Sequence, residues 1–203
     1  MLIKIFPNNI NPKEIARVVA VLLKGGIIIY PTDTVYGMGC DINNKVAVER
    51  IIRMKGLKLK EAHFSFICYD MSHISDFAKV DNPTFRLMKK NLPGPFTFIL
   101  PGFNRVPDYF ISKRKTVGIR IPDNQIPLQI VRELGHPIMT TSIKNEDDFI
   151  EYPSDPEQIY AKYCDAVDLV IDGGHSDIIP STIVDCTGVE PEIIREGKGE
   201  LIL

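Results

Sequence analysis

The sequence predicts an α/β fold, with three layers and a twisted mixed β-sheet carrying helices on both faces. Three observations predict it. Strand-like and helix-like segments alternate from end to end. The helix candidates carry their own start and stop signals. Finally, strand-like runs around Tyr30 and Tyr36 are separated by only a few residues, which forces part of the sheet to be antiparallel.

In order along the chain, Leu2 to Phe6 reads as a strand. Asn11-Pro12-Lys13-Glu14 then supplies an N-cap, a proline at the first helical position and a glutamate at the third, opening an amphipathic helix that stops at Gly25-Gly26. Ile27 to Tyr30 is a strand by its β-branched content. From Lys45 to Met54, Val48, Ile51 and Ile52 share one helical face, which turns Arg50 and Arg53 away from the core. Phe64 to Cys68 is a strand, and Asn82-Pro83 opens a helix ending near Asn91. Strands follow at Phe96 to Leu100 and Val117 to Ile121, then a helix from Ile126 to Leu134 closed by Gly135, and a strand at Ile138 to Thr141. A helix after Asp155-Pro156 and strands at Leu169 to Ile171, Ile183 to Asp185 and Ile193-Ile194 complete the set. Pro101 to Lys115 is the longest irregular stretch, a candidate lid or basic loop.

Length and composition bound the rest. At 203 residues, 44% hydrophobic and 25% charged, the chain is expected to form one domain over 1–203 with one sizeable core. The longest apolar stretch, Val18 to Leu23, is closed by Lys24-Gly25-Gly26, far short of a membrane span, and the first residues do not read as a signal peptide. A cytoplasmic protein with no membrane partner is the expectation. Cysteines 40, 68, 164 and 186 form no Cys-x-x-Cys pair and have no histidine at zinc spacing, so no metal site is expected. The net charge is only −2, but residues 45–60 carry six Lys/Arg against Glu49, and residues 144–157 carry six acids against Lys144. Such runs are most often solvated faces; the minority reading is an anion or nucleic-acid footprint.

The chemistry-bearing residues cluster at strand ends. Tyr30-Pro31-Thr32-Asp33-Thr34-Val35-Tyr36-Gly37-Met38-Gly39-Cys40 places hydroxyls, a carboxylate and glycines directly behind a buried strand, where open α/β sheets bind ligands. Thr116, Thr140, Ser142 and Ser181 repeat the pattern of small hydroxyls at strand ends. Taken singly, each is better explained as a turn residue bonding its own backbone; together they can line one pocket. Arg120 and Arg195 follow strand-like runs, from which a guanidinium can clamp a carboxylate or phosphate, and Lys55 ends the basic helix as a point charge for phosphate. Neither a Gly-x-Gly-x-x-Gly nor a P-loop signature is present, and no Ser-His-Asp order stands out. An enzyme built from these residues works by holding reactants together.

Pro31-Thr32-Asp33-Thr34-Val35-Tyr36-Gly37-Met38-Gly39, Arg50-Ile51-Ile52-Arg53-Met54-Lys55, Leu92-Pro93-Gly94-Pro95-Phe96-Thr97-Phe98-Ile99-Leu100, Thr116-Val117-Gly118-Ile119-Arg120-Ile121-Pro122, Asp172-Gly173-Gly174, Pro180-Ser181-Thr182-Ile183-Val184-Asp185 and Ile194-Arg195-Glu196-Gly197 resemble the YrdC-like family, in order and over nearly the whole chain. The resemblance implies a positively charged concave surface on the mixed sheet. It also implies threonylcarbamoyl-AMP synthesis, in which L-threonine, bicarbonate and ATP give threonylcarbamoyl-adenylate and pyrophosphate, the first step towards N6-threonylcarbamoyladenosine in tRNA. Carried over by motif, Thr32, Arg120, Ser142 and Ser181 would hold threonine. Lys55, Thr116, Thr140 and Arg195 would hold the nucleotide, with Arg53 assisting at the phosphates and Lys55 and Arg195 acting in catalysis. Magnesium would accompany ATP, coordinated largely by the phosphates.

Two positions depart from the synthase pattern. Lys55-Gly56-Leu57 stands where Lys-x-Arg is usual, and Ser142-Ile143-Lys144 where Ser-x-Asn is usual. With Asn82-Pro83-Thr84-Phe85-Arg86-Leu87-Met88-Lys89 and Lys113-Arg114-Lys115-Thr116, these resemble the YciO-type branch. The alternative function implied there is binding of tRNA, rRNA or double-stranded RNA, with Lys45, Arg50, Arg53, Lys58, Lys60, Lys113, Arg114 and Lys115 on the phosphate backbone.

Overall fold

The computed structural model describes residues 1–57, 64–103, 105–110, 116–143 and 152–203. Within them the chain runs β1 (Leu2–Lys4), α1 (Pro12–Leu23), β2 (Ile28–Tyr30), β3 (Gly37–Asp41), α2 (Lys45–Met54), β4 (Ser65–Ile67), α3 (Met71–Ile74), α4 (Asn82–Asn91), β5 (Phe96–Pro101), β6 (Thr116–Arg120), α5 (Gln125–Leu134), β7 (Ile138–Ser142), α6 (Pro156–Tyr163), β8 (Leu169–Asp172), β9 (Thr182–Asp185) and β10 (Glu192–Arg195). The ten strands form one mixed sheet in the order β1-β8-β2-β3-β7-β4-β6-β5-β9-β10. The short Tyr30–Tyr36 connection does produce an antiparallel β2–β3 pair, while β8 lies parallel to both β1 and β2.

Capping explains where the helices begin. The Asn11 side chain accepts the Lys13 N–H at 3.0 Å, with Pro12 at the first turn of α1. Asn44 caps α2, Asp81 caps α4 and Asp155 caps α6 in the same way. Gly135 closes α5 at φ 81°, the left-handed conformation that glycine adopts without steric cost.

Side-chain alternation along the strands divides the core into two. Ile27, Ile29, Met38, Phe66, Met139 and Val170 pack on one face with Val48, Ile51 and Ile52 of α2, Leu87 and Met88 of α4, and Ile159 of α6. Their sequence neighbours Ile28, Tyr30, Ile67, Ile138, Leu169 and Ile171 pack on the other with Val18 and Leu22 of α1 and Ile130 and Val131 of α5. Helices on both faces make this the three-layer arrangement that the sequence predicts. Arg53 points to solvent, whereas Arg50 reaches back to Asp168 at 3.2 Å, so only one of the two arginines turns fully outward.

The face covered by α1 and α5 is apolar only over its own half of the sheet. Towards β9 the inward positions change character to Thr140 and Ser142 on β7, Ser65 on β4, Gly118 and Arg120 on β6, and Thr97 on β5. They are brought side by side by the pairings Ser65↔Thr140, Ser65↔Gly118 and Ile99↔Gly118. This polar floor carries the sequence-predicted site residues Thr140, Ser142 and Arg120. Of the irregular 101–115 stretch, the described part packs elsewhere. The Phe103 N–H bonds Phe77 O, Arg105 pairs with Asp76 at 2.9 Å, and Tyr109 donates to Ile42 O; residues 111–115 lie outside the described residues.

Candidate functional site

A cavity of about 170 Å³ opens over the polar floor, lined by Val35, Tyr36, Gly37, Ser65, Thr97, Arg120, Thr140, Thr141, Ser142, Pro180, Ser181, Ile183 and Arg195. Among the described residues the lining holds two guanidiniums and several hydroxyls but no carboxylate, and Asp33 pairs with one of the guanidiniums, that of Arg120. Glycine at 37 keeps the floor open. A Cβ there would sit 3.1 Å from the Tyr30 ring and 3.2 Å from Thr140 Oγ1.

The loop after β2 is self-supporting. Thr32 Oγ1 donates to Val35 O at 2.7 Å and accepts the Thr34 N–H at 3.0 Å, a local turn built from side-chain-to-backbone bonds. Asp33 ties this loop to the end of β6. Its Oδ1 accepts from Arg120 Nη2 at 3.2 Å and its Oδ2 from the Asp123 N–H at 3.0 Å. Thr34 Oγ1 accepts a further bond from Arg120 Nη2 at 3.0 Å. Among the described residues the Arg120 guanidinium is thus held by one nitrogen, while its buried Nε has no partner.

Across the cavity Arg195 grips the β9 entry. Nε and Nη2 donate to Ser181 O at 3.2 and 2.7 Å, and Nη2 also reaches Ser181 Oγ at 3.2 Å. A register shift between Ile193 and Arg195 re-aims this arginine at the end of the edge strand. Desolvation of the guanidinium, and secondarily the like charge of Arg120 against an opposing contribution from Tyr152, holds Arg195 below the usual guanidinium range. A desolvated guanidinium facing a cavity favours an anionic ligand there.

Of the sequence-predicted residues, the fold gathers Arg120, Thr140, Ser142, Ser181 and Arg195 around this cavity. Lys55, the C-cap of α2, donates through Nζ to Ser142 O at 2.9 Å and so stands at the rim. Thr116 begins β6 on the same face as Gly118 but outside the lining. Thr32 sits in the loop that holds Asp33, its hydroxyl engaged within the loop. Arg53 is exposed on α2 with Nε on Glu49 O. Leu57 packs against the core on the α2 side, and Lys144 lies outside the described residues. Sequence reasoning missed Thr97, Ser65 and Lys198. Alternation in Phe96-Thr97-Phe98 marks Thr97 as facing away from the two buried rings, whereas no local signal points to Lys198.

Lys198 latches the site from the C-terminal segment. Its Nζ donates to Asp33 O at 2.7 Å and pairs with Asp177 at 3.0 Å, and the Asp177 N–H donates to Thr34 O at 3.0 Å. The Lys198 bond, foremost among several, holds the Asp177 carboxyl below the usual carboxylate range. A carboxyl depressed by folding contributes stability above its unfolded pKa and loses it as the pH falls through its folded value. Thermal unfolding of wild type should therefore lose part of its stability below about pH 4, and Lys198→Met should flatten that loss; an identical acid profile in the variant would show that the latch contributes nothing.

Among the described residues no helix is long and apolar enough to cross a membrane, and no group of three His, Cys, Asp or Glu is arranged to hold a metal ion.

Comparison with known proteins gives this geometry a family. The Sua5/YciO/YrdC family model, described as "Telomere recombination", matches residues 20–197, and the chain belongs to that family. It is 42% identical over 200 residues to the uncharacterized protein YciO of Escherichia coli K12, covering 97% of this chain and 95% of that one. The crystal structure of E. coli YciO superimposes with a TM-score of 0.92 at 40% identity, covering 98% and 97% of the two chains. The threonylcarbamoyl-AMP synthase of Bacillus subtilis is 31% identical over 194 residues, covering 92% of this chain and 54% of the synthase. The P. abyssi Sua5 complexed with L-threonine superimposes at a TM-score of 0.88 with 26% identity, over 97% of this chain and 57% of that one.

Proposed function

We propose that this member of the Sua5/YciO/YrdC family is a threonylcarbamoyl-AMP synthase-like enzyme, forming threonylcarbamoyl-adenylate from L-threonine, bicarbonate and ATP on the route to N6-threonylcarbamoyladenosine in tRNA. The observation that carries the reading is the cavity that Arg120 and Arg195 line together with Thr140, Ser142 and Ser181. Similarity to a Sua5 that binds L-threonine and to named synthases supports it.

At about 170 Å³ the cavity is smaller than the roughly 300–1,000 Å³ of drug-sized sites. It suits one small polar substrate, with the nucleotide lying outward along Lys55, Thr116 and Arg195. Arg120 receives the threonine carboxylate and the hydroxyls fix the remainder. The threonine amine adds to bicarbonate with loss of water, and the resulting carbamate oxygen attacks the α-phosphorus as pyrophosphate departs. Holding three reactants in line supplies roughly 7–11 kcal/mol of the barrier. Lys55 and Arg195 stabilise the charge that builds on the leaving pyrophosphate; magnesium, with the phosphates as its main ligands, would accompany ATP and add to that charge stabilisation.

The test is incubation with ATP, L-threonine and bicarbonate, followed by detection of the adenylate and pyrophosphate. No adenylate with any amino acid, while an established synthase works in parallel, refutes the assignment. Leu57→Arg combined with Lys144→Asn restores the synthase-type side chains and should raise the rate roughly tenfold, the worth of one charge-assisted bond at about 1.5 kcal/mol. Leu57 is partly buried against the core, so an arginine there must keep its stem packed while its head reaches solvent. A double variant that folds normally with an unchanged rate would mean that these positions do not limit nucleotide handling.

A further inference from the structure

A single hydroxyl holds the C-terminal segment by its backbone. Thr182 Oγ1 accepts the Gly197 N–H at 3.1 Å and donates to Gly199 O at 2.6 Å. Both partners are backbone groups with fixed roles, an N–H that only donates and a carbonyl that only accepts, so the direction of each bond is settled. Thr182 is 1% exposed. Its neighbour Ser181 lines the cavity, whereas Thr182 turns to the C-terminal segment. The bracketed residue is Lys198, whose own N–H bonds Pro180 O at 2.9 Å. Glycine stands on either side of it because the segment runs too close to its neighbours for a side chain. A Cβ at Gly197 would meet the backbone of Pro180 and Ser181, and one at Gly199 would sit 2.5 Å from the ring of Phe96, the residue that pairs with Thr182 between β5 and β9. Gly197-Lys198-Gly199 therefore presents one side chain. It reaches the loop after β2, where Nζ bonds Asp33 O at 2.7 Å and pairs with Asp177 at 3.0 Å. That loop supplies the Asp33 carboxylate and the Thr34 hydroxyl that hold Arg120.

We propose that Thr182 is a positioning residue: its hydroxyl aims Lys198 at Asp33 and Asp177, and so fixes the loop that holds Arg120 in the cavity wall. The aiming matters because the Lys198 side chain is 41% exposed. An ion pair made there by a lysine on a free backbone contributes little, since ordering its long stem offsets the attraction. With the backbone clamped on both sides of Lys198, only the stem is left to order, and the ammonium can hold two partners. The sequence carries the device in two separate pieces, Ser181-Thr182 and Gly197-Lys198-Gly199, which the fold brings together.

The test follows the carboxyl titration of Asp177 by carbon NMR on the full chain, because the Lys198 bond is foremost among those that hold this carboxyl below the usual range. Thr182→Val, and Thr182→Ala as a second variant that sets no methyl group against the segment, should raise the Asp177 pKa by as much as Lys198→Met does. Thr182→Ser, which keeps the hydroxyl, should leave it low. Asp81, held low by its bonds from Thr84, should not move in any of them. Asp177 unmoved in the Val and Ala variants would mean that Lys198 finds its partners unaided, and Asp81 rising with Asp177 would mean that the fold has merely loosened; either overturns the proposal. The consequence for the ligand rests on the function proposed above. Calorimetric affinity for L-threonine should fall roughly tenfold in Thr182→Val, the worth of one misplaced charge-assisted bond, and recover in Thr182→Ser. Unchanged affinity in a variant whose Asp177 has shifted overturns the link to Arg120 and leaves the synthase reading intact. Wild type that binds no L-threonine overturns that reading, while the Asp177 titration, which needs no ligand, still decides whether Thr182 aims Lys198.

Discussion

Replacing Arg120 with alanine is expected to weaken L-threonine binding roughly ten- to a hundred-fold, the worth of one lost charge-assisted bond at about 1.5–3 kcal/mol. The same change should also destabilise the protein, for a separable reason. The side chains of Arg120 and Asp33 are 9% and 8% exposed, and removing one partner of a buried pair leaves an uncompensated charge, at a cost of about 3–5 kcal/mol. The Asp123 N–H still bonds Asp33, which places the expected loss towards the lower end. Removing both charges, as Arg120→Ala with Asp33→Ala, should recover much of the stability without recovering binding. The two effects are read by thermal unfolding and by titration with L-threonine. Unchanged threonine affinity in a folded Arg120→Ala protein would mean that the cavity serves another ligand.

The contrast between Arg120 and Thr32 shows what was legible in the sequence. A guanidinium at the end of Thr116-Val117-Gly118-Ile119-Arg120 marks a candidate anion site, because strand periodicity fixes which face it occupies, and the fold puts it in the lining of the cavity. A hydroxyl in a turn carries no such information. Thr32 and Ser181 look alike in one dimension, yet Thr32 closes its own turn while Ser181 lines the cavity. Helix starts were readable because capping is local, as at Asn11 and Asp155. Gly37–Asp41 carries weak strand propensity, yet its strand was legible from the short return after Tyr30, and β2 and β7 pair with it on both sides. Lys198, separated from Asp33 by 165 residues, was invisible because no local pattern spans that distance.

The C-terminal strap also predicts that Gly197→Ala should cut adenylate formation by more than tenfold while leaving the sheet folded. A Cβ at Gly197 would lie 2.4 Å from Pro180 O and 2.5 and 2.6 Å from the carbonyl carbon and oxygen of Ser181. These are backbone atoms and cannot swing aside. Relief therefore has to come from separating residues 195–199 from residues 180–182, and that seam carries the bonds Gly197 N–H to Thr182 Oγ1 at 3.1 Å, Lys198 N–H to Pro180 O at 2.9 Å and Thr182 Oγ1 to Gly199 O at 2.6 Å. Opening it pulls Arg195 from Ser181 and lifts Lys198 from Asp33, so both walls of the cavity lose their alignment. Misplacing reacting groups by about 1 Å is enough to cost roughly a hundredfold in rate. Overpacking of this kind costs only about 1–3 kcal/mol in stability, and β10 is an exposed edge strand, so the core should persist. Circular dichroism and thermal unfolding report the fold, and adenylate formation reports the site. A folded variant with wild-type turnover would show that the strap merely covers the edge of the sheet, and that the grip of Arg195 on Ser181 is incidental to the chemistry.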